Sequence, residues 1–272
     1  GSEKPGLIDA SGQLRELSGQ IGDLAGDAFS PAGLAKLAAL DAAKLPAVSG
    51  SPRLGSPVGG SPKFIAIGLN FADHAAESNL PIPTEPIVFM KANNALCGPN
   101  DDVEKPRGST KLDWEVELAV VIGTRAKYVS EADALKYVAG YAVCNDVSER
   151  NFQIERGGNW TKGKSHDTFG PLGPWLVTAD EVGDVQKLDM WLDVNGQRRQ
   201  TGSTATMIFN VAQIVSYLSG MMTLMPGDVI TTGTPPGVGM GMKPQPQFLN
   251  AGDVMTLGIA KLGEQRQKVV AA

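Results

Sequence analysis

The hydrophobic positions of this chain fall into short, strand-length runs separated by Gly- and Pro-rich breaks. Such runs lie at 63–68, 86–90, 114–122, 140–147, 173–178, 188–195, 228–232 and 253–260, and their bounding turn residues mark them as β-strands. Helical periodicity is confined to a few places. Residues 205–220 carry Ile208, Val211, Ala212, Val215 and Leu218 on one stripe. Residues 130–138 open on Ser130 and Asp133, a capping pair. Near the start, 7–17 reads as a hairpin turning at 9–12. Ser30-Pro31 then starts a helix that runs to about Leu40, proline being tolerated in a first helical turn. Many unequal strands with few helices predict a strand-rich α+β fold, a mixed β-sandwich or roll. The Ser-, Gly- and Pro-rich passage 46–62 reads as a linker. It divides the chain into a small N-terminal α/β domain over 1–60 and a main domain over 61–272.

Composition narrows the function. The net charge is −5 with no basic block, which argues against a nucleic-acid partner. No apolar run reaches membrane-spanning length and no secretory core opens the chain, so a membrane partner is not expected. The opening Gly1-Ser2, without Met, reads as a tag remnant. Cys97 and Cys144 are the only cysteines and form no CxxC. They are expected to be free buried thiols in a reducing cytoplasm.

The run 114–122 carries the sharpest chemical signal. On a strand, residues two apart share a face, so Glu115 and Glu117 point the same way while Val116 and Leu118 point into apolar packing. Two carboxylates side by side repel, and a hard divalent cation such as Mg²⁺ removes that cost. By spacing alone, a surface strand with both acids in water is the commoner arrangement. His74 and Glu77 stand three apart in a stretch that can form a short helix over 72–77, with Asn70 as its N-cap. Glu77 can then fix the imidazole tautomer and leave the other nitrogen as a base; an incidental surface pair would look the same. Asp146 ends an apolar strand, with Arg150 and Gln153 four and seven positions on, a helical spacing that would place all three on one face. An N-cap aspartate over an ordinary amphipathic helix accounts for that spacing equally well. Lys164 lies in the Gly-rich stretch 157–171, too long to be mere connection. It is not a phosphate-binding Walker loop, because the upstream glycine spacing is wrong. Residues 231–239 offer hydroxyls and closely approaching backbone that suit an anion or substrate.

Together these segments resemble the fumarylacetoacetate hydrolase family over roughly 60–262. The likeness rests on L-N-F-x-x-H-x-x-E (69–77), P-I-V-F-M-K (86–91), D-W-E-V-E-L-A-V-V-I-G (113–123), N-D-V-S-E-R-x-x-Q (145–153), K-S-x-D-T-F-x-P-L-G-P (164–174), V-N-G-x-x-x-Q (194–200) and T-G-T-P-x-G-V-G (232–239). The resemblance implies a mixed β roll, a homodimer, and Mg²⁺ or Mn²⁺ on Glu115, Glu117 and Asp146. It assigns water activation to His74 and Glu77, an active-site lysine to Lys164, and substrate contacts to Arg150, Gln153, Lys91 and Thr234. His166 occupies a position expected to be aromatic or apolar. The leading segment resembles the small N-terminal domain of the longer members, and the C-N-D-V-S-E-R block and P-N-D-D (99–102) lean toward hydrolases of 2,4-diketo acids: acylpyruvates, or diketo-deoxy sugar acids, whose hydroxyls would fit a polar, loop-lined pocket. Such an enzyme cleaves the C3–C4 bond of a small keto acid to pyruvate and a carboxylic acid. Oxaloacetate decarboxylation, keto–enol isomerisation and ureidoglycolate cleavage are the alternatives on the same site. The stretch 71–83, joining the H-x-x-E pair to a Pro-rich loop, is expected to close over a bound anion.

Overall fold

A computed structural model describes residues 2–77 and 81–272. Its centre is the strand Val116–Ile122, seven residues that are all buried. A strand buried on both faces must have a layer on each side, and this one sits in the middle of a seven-stranded mixed sheet. From one edge to the other that sheet runs Ile87–Lys91, Phe64–Gly68, Val229–Thr231, Val116–Ile122, Val138–Asn145, Gly170–Thr178 and Leu96–Cys97. Val229–Thr231 pairs parallel with Phe64–Gly68 and antiparallel with Val116–Ile122.

A second, five-stranded sheet runs Gln197–Ser203, Asp189–Val194, Val254–Ile259, Gly263–Ala271 and Val103–Lys105. Inward side chains of both sheets belong to one continuous apolar core, to which the first contributes Leu118 and Val143 and the second Leu192 and Leu257. Where amides replace apolar residues between the sheets, each is hydrogen-bonded, as burial requires. Val116 N donates to Gln200 Oε1 at 3.0 Å, Asn145 Nδ2 to Gln267 Oε1 at 3.1 Å, and Gln265 Nε2 to the Val143 carbonyl at 2.7 Å. The strand-rich α+β expectation therefore holds.

Local departures have local causes. The expected helix at 130–138 is a 3₁₀ segment, Glu131–Tyr137, and the helix expected from 205 begins later, as Val211–Met221. Asn210 and Gln213 form its capping box, so the start is set by that reciprocal pair rather than by the apolar stripe. In the leading segment, Gly6–Ile8 and Leu14–Glu16 form the expected hairpin. Asp9 accepts from the Ser11 and Gln13 amides in its turn. The helix Pro31–Ala38 is capped by Ser30. Both cysteines are free, Cys144 buried and Cys97 half-buried. Among the described residues no helix is long and apolar enough to cross a membrane.

Candidate functional site

The strands Val116–Ile122 and Val138–Asn145 pair antiparallel, Val116 opposite Asn145 and Glu117 opposite Cys144. That register brings the residue before one strand beside the residue after the other, and the Asp146 amide donates to the Glu115 carbonyl at 2.9 Å. Glu115, Glu117 and Asp146 converge: each is buried, and each offers a carboxylate oxygen within 4.8 Å of the others. They line a cavity of about 90 Å³, room for a handful of waters or a small polar head group.

Two of the carboxylates are matched by cations. Lys164 Nζ lies 2.7 Å from both Glu115 and Asp146, Arg150 is 2.7 Å from Glu115, and Lys91 pairs with Asp146. Burial pushes Glu115 up, but Lys164 and Arg150 outweigh it and hold that carboxyl well below the usual range. Glu117 has no side-chain cation among the described residues; only the Gly233 amide donates to it, at 2.8 Å. Burial, reinforced by Asp146 and Glu115, pushes Glu117 well above its ordinary value. Burial lowers Lys164, but Asp146 and Glu115 outweigh that and raise it, so its ammonium keeps its proton.

The donor set fits a hard divalent cation. Three carboxylate oxygens converge, one of them uncompensated. With Glu117 ionised, as a metal ligand would be, Asp113, Glu115, Glu117 and Asp146 are set against Lys91, Arg150 and Lys164 among the described residues, leaving one net negative charge. A dication and a monoanionic ligand would bring the cluster to neutrality.

His74 lies on the helix Ala72–Glu77 and lines the same cavity. Its Nδ1 is 3.2 Å from Glu77 Oε2, and Glu77 also accepts from the Gly237 amide at 3.0 Å. With Nδ1 held, Nε2 is the nitrogen left to take a proton. Asn70 does not cap this helix. Its amide donates to the Phe209 and Thr232 carbonyls at 2.9 and 2.8 Å and its oxygen accepts from Phe209 N, so the side chain braces the Thr-rich turn instead.

Arg150 and Gln153 share one helical turn, joined by a 3.1 Å hydrogen bond, where the chain winds as a π-helix over Asn151–Glu155. Asp146 is not on that helix. The two-residue strand Ser148–Glu149, paired with Leu112–Asp113, intervenes, so a ladder rather than helical spacing brings Asp146 and Arg150 together. Lys164 ends the short helix Thr161–Lys164, which lies against this turn through Gly163. A Cβ at 163 would stand 2.5 Å from Gln153 Cβ and from the Glu149 carbonyl, a separation only glycine permits.

Lys91 does not line the cavity. Its ammonium bonds Asp146 and the Lys164 carbonyl, so it sits behind the carboxylate cluster and positions it. Thr234 lines the cavity, but its hydroxyl donates to the Val116 carbonyl and accepts from Gln200. His166 lies off the cavity against Phe169. The expected lid at 71–83 lies partly outside the described residues.

Sequence reasoning passed over Asp113. Its carboxylate accepts from the Trp114, Gly239 and Met240 amides and from Arg150 Nε, which ties the 237–240 loop to the arginine. Odd-number parity with Glu115 and Glu117 was the available signal. The apolar part of the lining is Ile67, Leu69, Phe89, Ile154, Trp160 and Met240. The pocket, expected to be polar for a sugar acid, is therefore polar only in part.

The family profile described as Fumarylacetoacetate (FAA) hydrolase C-terminal matches residues 63–270, and this chain belongs to that family of enzymes. A Burkholderia cenocepacia (strain HI2424) protein described no further than as a provisional hydrolase is 64% identical over 268 residues, covering 98% of this chain and 95% of its own length. The fumarylacetoacetate hydrolase of psychrophilic Exiguobacterium antarcticum superposes with a TM-score of 0.85 at 34% identity, covering 99% of this chain and 95% of that one. The 2-hydroxyhepta-2,4-diene-1,7-dioate isomerase of Mycobacterium marinum superposes with a TM-score of 0.69 at 37% identity, covering 80% and 77%.

Proposed function

We propose that this protein is a divalent-metal-dependent hydrolase that cleaves the C3–C4 bond of 2,4-diketo acids to pyruvate and a carboxylic acid. One observation carries the reading: a carboxylate-held histidine, a protonated buried lysine and three convergent carboxylates line one cavity. Mg²⁺ or Mn²⁺ held by Glu115, Glu117 and Asp146 would supply Lewis-acid polarisation of the substrate's 2-oxo group. Arg150 and Gln153 orient the C1 carboxylate beside that centre. His74, fixed by Glu77, takes a proton from water, and the water oxygen bonds to C4. Lys164 and Gln153 stabilise the alkoxide that forms there. The C3–C4 bond then breaks, its electron pair passes into the enolate of pyruvate, and a proton delivered to C3 completes the turnover. Because Lys164 keeps its proton, its part is electrostatic and the base is His74. The proposed assembly is a homodimer, which light scattering would check.

A second reading is favoured by the Mycobacterium marinum neighbour, which is named an isomerase. Keto–enol isomerisation or oxaloacetate decarboxylation passes through the same enolate without water at C4. The deciding assay follows pyruvate from acylpyruvates, diketo-deoxy sugar acids and oxaloacetate, and glyoxylate from ureidoglycolate, each with Mg²⁺ and with chelator. Metal-dependent pyruvate from a diketo acid supports hydrolysis. Turnover of oxaloacetate or ureidoglycolate alone overturns it.

A further inference from the structure

The cavity lining is of two kinds, charged and apolar, which meet where Lys164 Nζ lies 5.4 Å from the centroid of the Phe89 ring. The charged donors are already engaged: Lys164 with two carboxylates, and Arg150 with Asp113, Glu115 and the Gln153 amide oxygen. The Thr234 hydroxyl proton is spent on the Val116 carbonyl. The apolar part of the lining is Ile67, Leu69, Phe89, Ile154, Trp160 and Met240. Apart from the Trp160 indole N–H, these side chains offer a substrate hydroxyl no partner. A hydroxylated chain laid against them would lose water without replacing its hydrogen bonds, which is costly.

Trp160 is held in place before any ligand arrives. Its ring meets Phe89 edge-to-face, 5.3 Å between centroids at 67°, a favoured aromatic geometry. The next residue, Thr161, donates to the Met90 carbonyl at 2.9 Å and pins the loop to the strand Ile87–Lys91. On the other side the indole lies on the backbone of Gly68, where a Cβ would stand 2.4 Å from Trp160 Cζ3. Ile154, 47% exposed, also lines the cavity and so marks its mouth. A rigid aromatic wall at the mouth binds a flat or aliphatic group with little entropy to lose.

We propose that the substituent beyond C4 of the substrate is apolar, an alkyl or aryl group, and that Trp160 is the residue that selects it. The proposal rests on the 2-oxo acid reading above and adds the tail to it.

The test uses acids that lack the 4-oxo group and so bind without being cleaved: 2-oxobutanoate, 4-phenyl-2-oxobutanoate and 4,5-dihydroxy-2-oxopentanoate. Each is titrated calorimetrically into the full-length protein with Mg²⁺. The phenyl acid is expected to bind about tenfold more tightly than 2-oxobutanoate, the scale of one aromatic contact plus burial, and the diol no more tightly than 2-oxobutanoate. Trp160→Ala should bring the phenyl advantage below about threefold, and Gly68→Ala, which displaces the indole, should shrink it too. Equal affinities in the wild type, or a preference for the diol, overturn the tail assignment while the head-group reading stands. Failure of all three acids to bind overturns both. A phenyl advantage that survives Trp160→Ala overturns the role given to Trp160.

Discussion

Replacing Glu117 with Gln should stabilise the metal-free protein while abolishing its response to metal. Glu117 is buried, and its carboxylate lies within 4.8 Å of those of Glu115 and Asp146. Two like charges at 4.8 Å repel by ~3.5 kcal/mol at an effective dielectric near 20. Lys164 and the Gly233 amide offset part of this, so the net relief is on the order of 1–2 kcal/mol. Gln keeps an oxygen for the Gly233 amide, which limits the cost of the change. At this chain length the gain corresponds to roughly 2–6 °C in Tm. The sign in pH follows from the raised carboxyl. Above the unfolded value of 4.5 the folded protein holds a proton that the unfolded chain has lost. The Glu117 contribution is therefore present below that value and is lost as pH rises through the folded value. In chelator, the Tm of Glu117→Gln should exceed that of wild type at pH 8, and the gap should close toward pH 5. With saturating Mg²⁺ the order should reverse, because binding at a hundred times Kd adds about 2.7 kcal/mol to the wild type. Scanning calorimetry in the four combinations of pH and metal decides it. A variant less stable than wild type in chelator at pH 8, or a gap that ignores pH, would refute the electrostatic reasoning.

Three further outcomes are expected. His74→Ala should cut diketo-acid hydrolysis by about 10²–10⁴, the usual reach of a general base, and spare any oxaloacetate decarboxylation; intact hydrolysis in pyruvate-release assays would show that the base lies elsewhere. Asp113→Ala takes from the buried Arg150 one of its two carboxylate partners and frees the amides of Gly239 and Met240, so urea unfolding should report a loss of about 3–5 kcal/mol, and a loss under 1 kcal/mol would contradict its place as the joint between loop and arginine. The Cys97 thiol is pushed up to about 12, by burial first and Asp101 second; at pH 8 it stays protonated, so iodoacetamide should label it far more slowly than free cysteine and the rate should climb as pH rises, whereas labelling at the free-thiol rate, read by mass spectrometry, would disprove the shift.

What could be read from the chain, and what could not, follows the range of the interactions involved. The strand Val116–Ile122 was legible because its alternation is local, and the same period of two aligned Glu115 with Glu117. Asp113 shares that parity, but it precedes the apolar run and so fell outside the pattern. The strand Gly263–Ala271 was invisible for the opposite reason. Its inward positions are Gln265, Gln267 and Val269, and buried glutamines satisfied by partners elsewhere carry no hydrophobic period. Gln197–Ser203 is an edge strand of polar residues and hid in the same way. Asn70 was misread as a cap because its real partners, Phe209 and Thr232, lie 139 and 162 positions away. Trp160 sits between Gly-rich turns, where no periodicity marks a wall. The convergence of Asp146 with Arg150 was legible as proximity but not as mechanism, since a ladder rung stands where a helical turn was expected.

The loop over 233–240 grips the chemical centre through its main chain. Gly233 holds Glu117, Gly237 holds Glu77, and Gly239 and Met240 hold Asp113, all by backbone N–H. A peptide amide is the same whatever side chain it carries, proline excepted. The Met240 side chain meanwhile faces the cavity. Catalytic alignment and ligand shape are thus written in separable parts of one segment. Mutation at 240 can redraw the cavity wall without loosening a single carboxylate, so new substrate ranges are reachable there by single steps through proteins that stay folded and active.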